Sequence, residues 1–210
     1  MKRSKNRRNS SSSRNLFPTA IKAQPKFSRV FRYQASSDVS SVVIYRENLL
    51  SLLVATTGTT TGYSLIESIK LDRICTWGSD DTTAALDLSE MSLTWNATRG
   101  PANRITSMGT NAHPAHISSR PPKDTSAEWW SLSDSNENEK LFQVVMKKNS
   151  IIDIHVTFVL DSFTMTPLTL SGATAGQLVY ANLDCLNGSG SAGSNLLVPV
   201  GNSAVSITGR

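Results

Sequence analysis

The residues best suited to chemistry stand at the front of the chain. Lys2, Arg3, Lys5, Arg7, Arg8, Arg14, Lys22 and Lys26, followed by Arg29 and Arg32, are ten cations placed before the first acid, Asp38. The 210 residues hold 21 Lys+Arg and 16 Asp+Glu, so a leader of +10 leaves 11 cations against 16 acids, a net −5, in the remainder. Such a block repels itself, stays solvated and extended, and suits a polyanion. A signal peptide needs an apolar core after its cations, and a membrane-surface helix needs an apolar stripe; here Ser10 to Ser13 follow. A nuclear-localisation signal or a solubility tail is compatible with the block. Phosphate neutralisation with counterion release is the chemistry these residues do without a fixed fold, so Lys2, Arg3, Lys5, Arg7, Arg8, Arg14, Lys22 and Lys26 are the candidate nucleic-acid ligands.

Other spacings carry less. Gly188-Ser189-Gly190-Ser191-Ala192-Gly193 satisfies G-x-G-x-x-G, but a dinucleotide site needs a helix directly behind it, and Leu196 to Val200 is β-like and contains Pro199. The stretch reads as a flexible surface loop. His113-x-x-His116 has metal-like spacing, yet Pro114 blocks a helical presentation and no Cys or carboxylate lies nearby. Asp80-Asp81 has the hard oxygens calcium prefers, and is the candidate for such a site between subunits; a lone pair in a turn is more often solvated, and no cofactor is assigned. His155 falls on a polar strand face and suits a structural or pH-sensitive contact. No G-x-S-x-G, Cys/His or paired-carboxylate pattern occurs, and no catalytic residue is assigned. The sequons Asn96-Ala97-Thr98 and Asn187-Gly188-Ser189 lack a secretory signal to give them meaning.

The elements that must position these residues are mostly strands. Phe27, Phe31, Tyr33 and Ala35 alternate with Ser28, Arg32 and Gln34. Val39 to Tyr45 reads as a strand, and Leu49, Leu50, Leu52 and Leu53 as a short helix-like apolar patch. Ile69, Leu71, Cys75 and Trp77 line one face, with Arg73 as the exception; Lys70, Asp72 and Thr76 line the other. Met91, Leu93 and Trp95 point inward. Ile152, Ile154, Val156, Phe158 and Leu160 alternate against Asp153, His155 and Thr157. Thr125 or Ser126 is placed to cap a short helix carrying Glu128, Trp129 and Trp130; in an extended segment those two rings would point opposite ways, leaving one for a subunit contact. Leu178 to Leu183, Leu196 to Val200 and Val205 to Thr208 close the chain. Cys75 and Cys185 could meet in the fold, but buried free thiols are the default reading without a secretory signal.

Eight or nine short strands with long irregular connections predict an all-β, antiparallel sandwich; the eight-stranded jelly roll, with short helices in its loops, fits best, and other Greek-key arrangements stay open. Residues 1–26 form a basic arm and linker, disordered or extended, and residues 27–210 form the folded domain. No apolar run is long enough for membrane insertion.

Four stretches extend this reading: Ile44 to Leu53 (IYRENLLSLL), Gly62 to Trp77 (GYSLIESIKLDRICTW), Ile105 to Pro122 (ITSMGTNAHPAHISSRPP) and Ala127 to Ser131 (AEWWS). With the basic Ser-rich arm, they resemble the single-jelly-roll capsid proteins of small circular single-stranded DNA viruses and related small RNA viruses. The resemblance implies a non-enzymatic virion protein that assembles as 60 copies or a multiple. It would package a single-stranded DNA or RNA genome through the arm, passing through the host nucleus or cytoplasm during assembly. Sixty arms would supply on the order of 600 positive charges, set against the phosphates of a genome segment of about a thousand nucleotides. No room for a projecting domain is left after Val205, which implies a smooth shell. The alternatives are a monomeric nucleic-acid-binding β-sandwich and a carbohydrate-binding sandwich with an unrelated tail.

Overall fold

The computed structural model describes residues 25–79, 89–97, 101–110, 113–123, 125–132, 137–160 and 166–210. Seven of the candidate ligands (Lys2, Arg3, Lys5, Arg7, Arg8, Arg14 and Lys22) and the Asp80-Asp81 pair lie outside them.

Two antiparallel sheets face each other across one core. The first has the order β14 (Leu197–Pro199), β1 (Lys26–Ala35), β11 (Ile151–Leu160), β5 (Ile66–Trp77) and β8 (His116–Ser119), with β9 (Ser131–Leu132) also paired to β5. The second has the order β2 (Val39–Tyr45), β10 (Lys140–Met146), β6 (Ser89–Trp95) and β7 (Asn103–Gly109). Leaving β14 and β9 aside and counting the sandwich strands along the chain, the sheets run 1-8-3-6 and 2-7-4-5, the interlocked Greek keys of a jelly roll. Alternating side chains fill the core: Tyr33, Ile44, Leu93, Trp95, Phe142, Ile152 and Ile154 are fully buried. The Trp95 indole N–H donates to Ser119 Oγ at 3.0 Å, joining the two sheets.

The long strand β5 corrects the expected alternation. Opposite β11 its register slips between Leu71, which pairs with Val156, and Arg73, which pairs with His155. Asp72 is therefore an extra, bulged residue, and a bulge reverses which side the following residues face. Ile69 and Leu71 point inward before it; Ile74 and Thr76 point inward after it, both almost fully buried. Cys75 and Trp77 thus turn to the outer face, and Arg73 is no exception.

The chain's end corrects a second expectation. Of the strands placed there, Leu196 to Val200 joins the first sheet as β14, whereas the other two lie outside the sandwich. β12 (Pro167–Ser171), β13 (Leu178–Ala181) and β15 (Ala204–Gly209) join β3 (Leu53–Thr56) and β4 (Thr61–Ser64), which interrupt the jelly roll between β2 and β5, in a closed five-stranded barrel. The barrel has its own apolar cluster, including Val54, Leu168, Leu170, Val179 and Ile207. Further differences are local. The expected helix after Thr125 is one 3-10 turn, Ser126–Glu128, which ends before both tryptophans. Trp129 is 65% exposed and Trp130 half-buried, so the two rings do diverge. Phe27, expected on the buried face, is 42% exposed but stacks on Phe158 with centroids 5.8 Å apart.

Candidate nucleic-acid interface

Three of the ten leader cations belong to the folded body. Lys26, Arg29 and Arg32 lie on β1, held along its length by pairing with β11. Arg32 is fully engaged: Nε and Nη2 donate to the two carboxylate oxygens of Asp153 at 2.7 and 2.8 Å. That bidentate pair raises the Arg32 pKa further. Asp153, expected on a polar face, is only 5% exposed. Arg29 lies 6.0 Å from the centre of the Tyr180 ring. The arm proper therefore ends before Lys26 and carries the seven cations from Lys2 to Lys22.

Lys26 marks where the arm joins the sheet. Its ammonium sits 5.4 Å from the centre of the Trp130 ring, a cation–π contact at the edge of the outer face. Across that face one register row runs Arg32, Asp153, Cys75 and Ser118. Cys75 Sγ and Ser118 Oγ are 3.4 Å apart. The next row holds Trp77 and His116, with ring centroids 5.4 Å apart, and Arg32 lies 5.8 Å from the Trp77 ring centre. His116 is thus a stacking partner, while His113 sits exposed in a turn, its amide donating to Thr110 O at 3.1 Å. Among the described residues no group of three or more His, Cys, Asp or Glu side chains is arranged to hold a metal ion.

Away from this face, a buried polar anchor ties the barrel to α1 (Arg46–Leu50). Its key residue, Asn48, is fully buried and carried no motif to mark it. Asn48 Oδ1 accepts the Tyr45 amide at 2.8 Å, closing the helix N-terminus, and Nδ2 donates to Leu186 O at 3.0 Å. The Gly188 amide donates to the Glu47 carboxylate, whose pKa is raised by burial against the opposing pull of that bond and of Arg210. Asp184, 2% exposed, accepts the Leu196 and Leu197 amides at 2.8 and 3.0 Å; burial raises its pKa as well. Arg210 donates to Glu137 at 2.8 Å, and burial lowers its pKa. Cys185, a buried free thiol like Cys75, is pushed up to about 12 by burial.

The Gly/Ser stretch 187–195 belongs to this anchor, which corrects its reading as a flexible loop. Ser191 bridges Gly209, Leu186 bridges Ala192, and Gly193 N donates to Cys185 O at 2.7 Å. Gly188, at φ +84°, lets the backbone lie against the Tyr45 ring, where any Cβ would overlap it. The glycines serve backbone packing, and no helix follows them to receive a phosphate.

The anchor also uses up the barrel's charges. Residues 53–65 and 166–210 contain only Asp184 and Arg210 as charged side chains, and both are buried. The exposed surface of these residues is mostly Thr, Ser, Gly, Asn and Gln, with Leu178 57% and Val200 39% exposed among them. Charge is thus segregated: cations in the leader and on the sandwich, none on the barrel surface.

No protein-family model matches the chain, and no curated protein matches it by sequence. Solved structures similar in fold include the extra small virus virus-like particle of the giant freshwater prawn Macrobrachium rosenbergii. It is 12% identical over 71% of this chain and 86% of that one, with a TM-score of 0.42. Desmodium yellow mottle tymovirus is 10% identical over 71% of this chain and 97% of that one, with a TM-score of 0.44.

Proposed function

We propose that the chain is a capsid protein: its body assembles with copies of itself into a closed shell, and its leader binds the packaged single-stranded nucleic acid. The role is structural and calls for no catalytic residue or cofactor. The observation that carries this reading is the segregation of charge on a jelly roll. A seven-cation leader is joined at Lys26 to a rigid sheet, while the barrel presents no exposed charge.

Each part follows from its chemistry. The leader neutralises phosphates without reading bases, so binding is salt-dependent and largely independent of sequence. With three cations moved into β1, sixty leaders supply on the order of 400 charges, which couples shell size to cargo length. The barrel surface meets a second copy without like-charge repulsion, and charged residues are depleted at the centres of protein interfaces. The leader joins the charged sandwich, so that side faces the cargo and the barrel faces neighbouring copies or the outside.

Expression of the full chain followed by size-exclusion chromatography and negative-stain imaging tests the reading. Closed particles of uniform diameter are expected. A monomer that binds nucleic acid supports the runner-up, a β-sandwich nucleic-acid-binding protein; a monomer that binds glycans and no nucleic acid overturns both.

A further inference from the structure

The cations of the sandwich are not all used alike. Arg32, Arg46, Arg104, Lys147 and Arg210 form ion pairs. Lys70, Arg73 and Arg120 form none among the described residues, yet all three line one groove of about 810 Å³ on the outer face of the first sheet. The bulge at Asp72 places Arg73 there, because without it Arg73 would face the core. The floor is completed by Ser28, Val30 and His155. Val30 is 46% exposed, an apolar surface left open in a polar surround.

Lys26, Ser28 and Val30 are successive outward positions of β1, so the groove, lined from Ser28 onward, opens two residues past Lys26, where the leader joins the sheet. Trp130, held against Lys26, stands at that same end. Two acids also line the groove. Asp72 accepts the Thr157 hydroxyl at 2.7 Å, and Glu128 stands on the opposite wall. The unpaired cations outnumber them.

We infer that this groove is a second nucleic-acid site, built into the folded body, which takes a short stretch of single strand. Lys70, Arg73 and Arg120 hold backbone phosphates, and Val30 and Trp130 offer faces to unstacked bases. The volume lies within the range of small-ligand sites and suits a few nucleotides. Cations beside an aromatic ring and an apolar floor match single-stranded nucleic acid better than an acidic peptide, which has no flat bases to stack. A strand captured by the leader passes Lys26 and reaches the groove at Ser28, so the body fixes cargo that the arm only attracts. The inference rests on the leader binding nucleic acid.

The test uses the full chain and a labelled oligothymidylate of about 20 nucleotides, with affinity measured by anisotropy across a salt series. In Lys70→Gln/Arg73→Gln/Arg120→Gln, loss of three phosphate contacts lowers the slope of log affinity on log salt by about 2. Between 50 and 200 mM salt the variant then loses roughly 20-fold less affinity than the parent. Photocrosslinking of an iodouracil-substituted strand is expected to mark Trp130 in the parent and not in the variant. Because Lys70, Arg73 and Arg120 are surface side chains outside the ion pairs of the fold, the variant should melt with the parent. If it does not, Arg120→Gln alone carries the test, with a slope change near 0.7. A steep parental slope unchanged in the variant, with no crosslink at Trp130, overturns the groove and leaves the leader's role standing. A parent without salt-dependent binding overturns both. Displacement of the strand by polyglutamate at equal charge concentration, with no crosslink at Trp130, assigns the groove to acidic peptides and overturns the proposal.

Discussion

Replacing Gly188 by alanine tests whether the Gly/Ser stretch locks the barrel onto the sandwich. Two costs add at this position. The backbone stands at φ +84°, and holding an L-residue with a Cβ there costs about 1–2 kcal/mol. The added methyl also overlaps three atoms of the Tyr45 ring, and overpacking a filled site costs about 1–3 kcal/mol. Gly172 separates the two. Its φ is +72°, but nothing lies within 4 Å of a Cβ built on it, so Gly172→Ala carries the backbone cost alone. In a chain of this size each kcal/mol moves the melting temperature by roughly 2–4 °C. Gly188→Ala should therefore melt roughly 4–20 °C below the parent and Gly172→Ala roughly 2–8 °C below it. Thermal unfolding followed by circular dichroism gives both values on matched samples. Equal shifts for the two variants would refute the packing of Gly188 against Tyr45, and with it the account of the stretch as a lock.

Tyr33 is fully buried and its hydroxyl has no hydrogen-bond partner among the described residues, so Tyr33→Phe should stabilise the fold by about 1 kcal/mol in denaturant titration; destabilisation of that size would reveal a partner. Arg32→Ala leaves the Asp153 carboxylate buried without its fork; discounted for the solvent exposure of Arg32, the loss should be about 1–3 kcal/mol, and an unchanged denaturation midpoint would contradict it. Glu47 and Asp184 have raised folded pKa values, so the folded state holds protons that the unfolded state releases. Their contribution is fully present below the ordinary carboxylate range and is lost as pH rises through the folded values. Asp38 acts in the opposite sense. Bonds from the Lys148 amide and the Lys147 ammonium lower its pKa, so its contribution is present above the ordinary value and lost as pH falls through the folded one. Melting temperature against pH should rise from neutrality into mild acid and then fall; a monotonic decline would contradict the burial of Glu47 and Asp184. The Cys185 thiol, pushed up to about 12, should resist alkylation in the folded chain and react only on unfolding, whereas labelling at the native rate of a free thiol would show it accessible.

Much of the sandwich can be read from residue order alone. Met91, Leu93 and Trp95 alternate because the straight strand β6 shows one face to the core, and Ile152, Ile154 and Val156 do the same on β11. The parity of β5 could not be read, because a bulge is a single added residue and Asp72 resembles any polar outward position. Arg32 counted as a leader cation because its partner Asp153 lies 121 residues away, a distance no local pattern spans. The barrel was hidden for a similar reason. Its strands are short and several hold only one or two apolar residues, and β13 and β15 pair in parallel, which no hairpin signal announces. Asn48 has no motif at all; its role comes from Leu186 O, which only the barrel's return brings near. The leader, by contrast, was legible as chemistry, since ten cations without an acid need no fold to state their charge. The strand β1 begins at Lys26 and carries the last three of those cations.

That boundary sets the decisive comparison. A truncation of residues 1–32 would strip β1 and expose the core around Phe31, so the cut belongs before Pro25. Full-length protein and protein lacking residues 1–24 are purified alike, treated with nuclease, and assayed for protected nucleic acid per folded subunit. The division of labour proposed here predicts protected strands with the full chain and a folded body with little or none after truncation; equal protection in the two samples would contradict it.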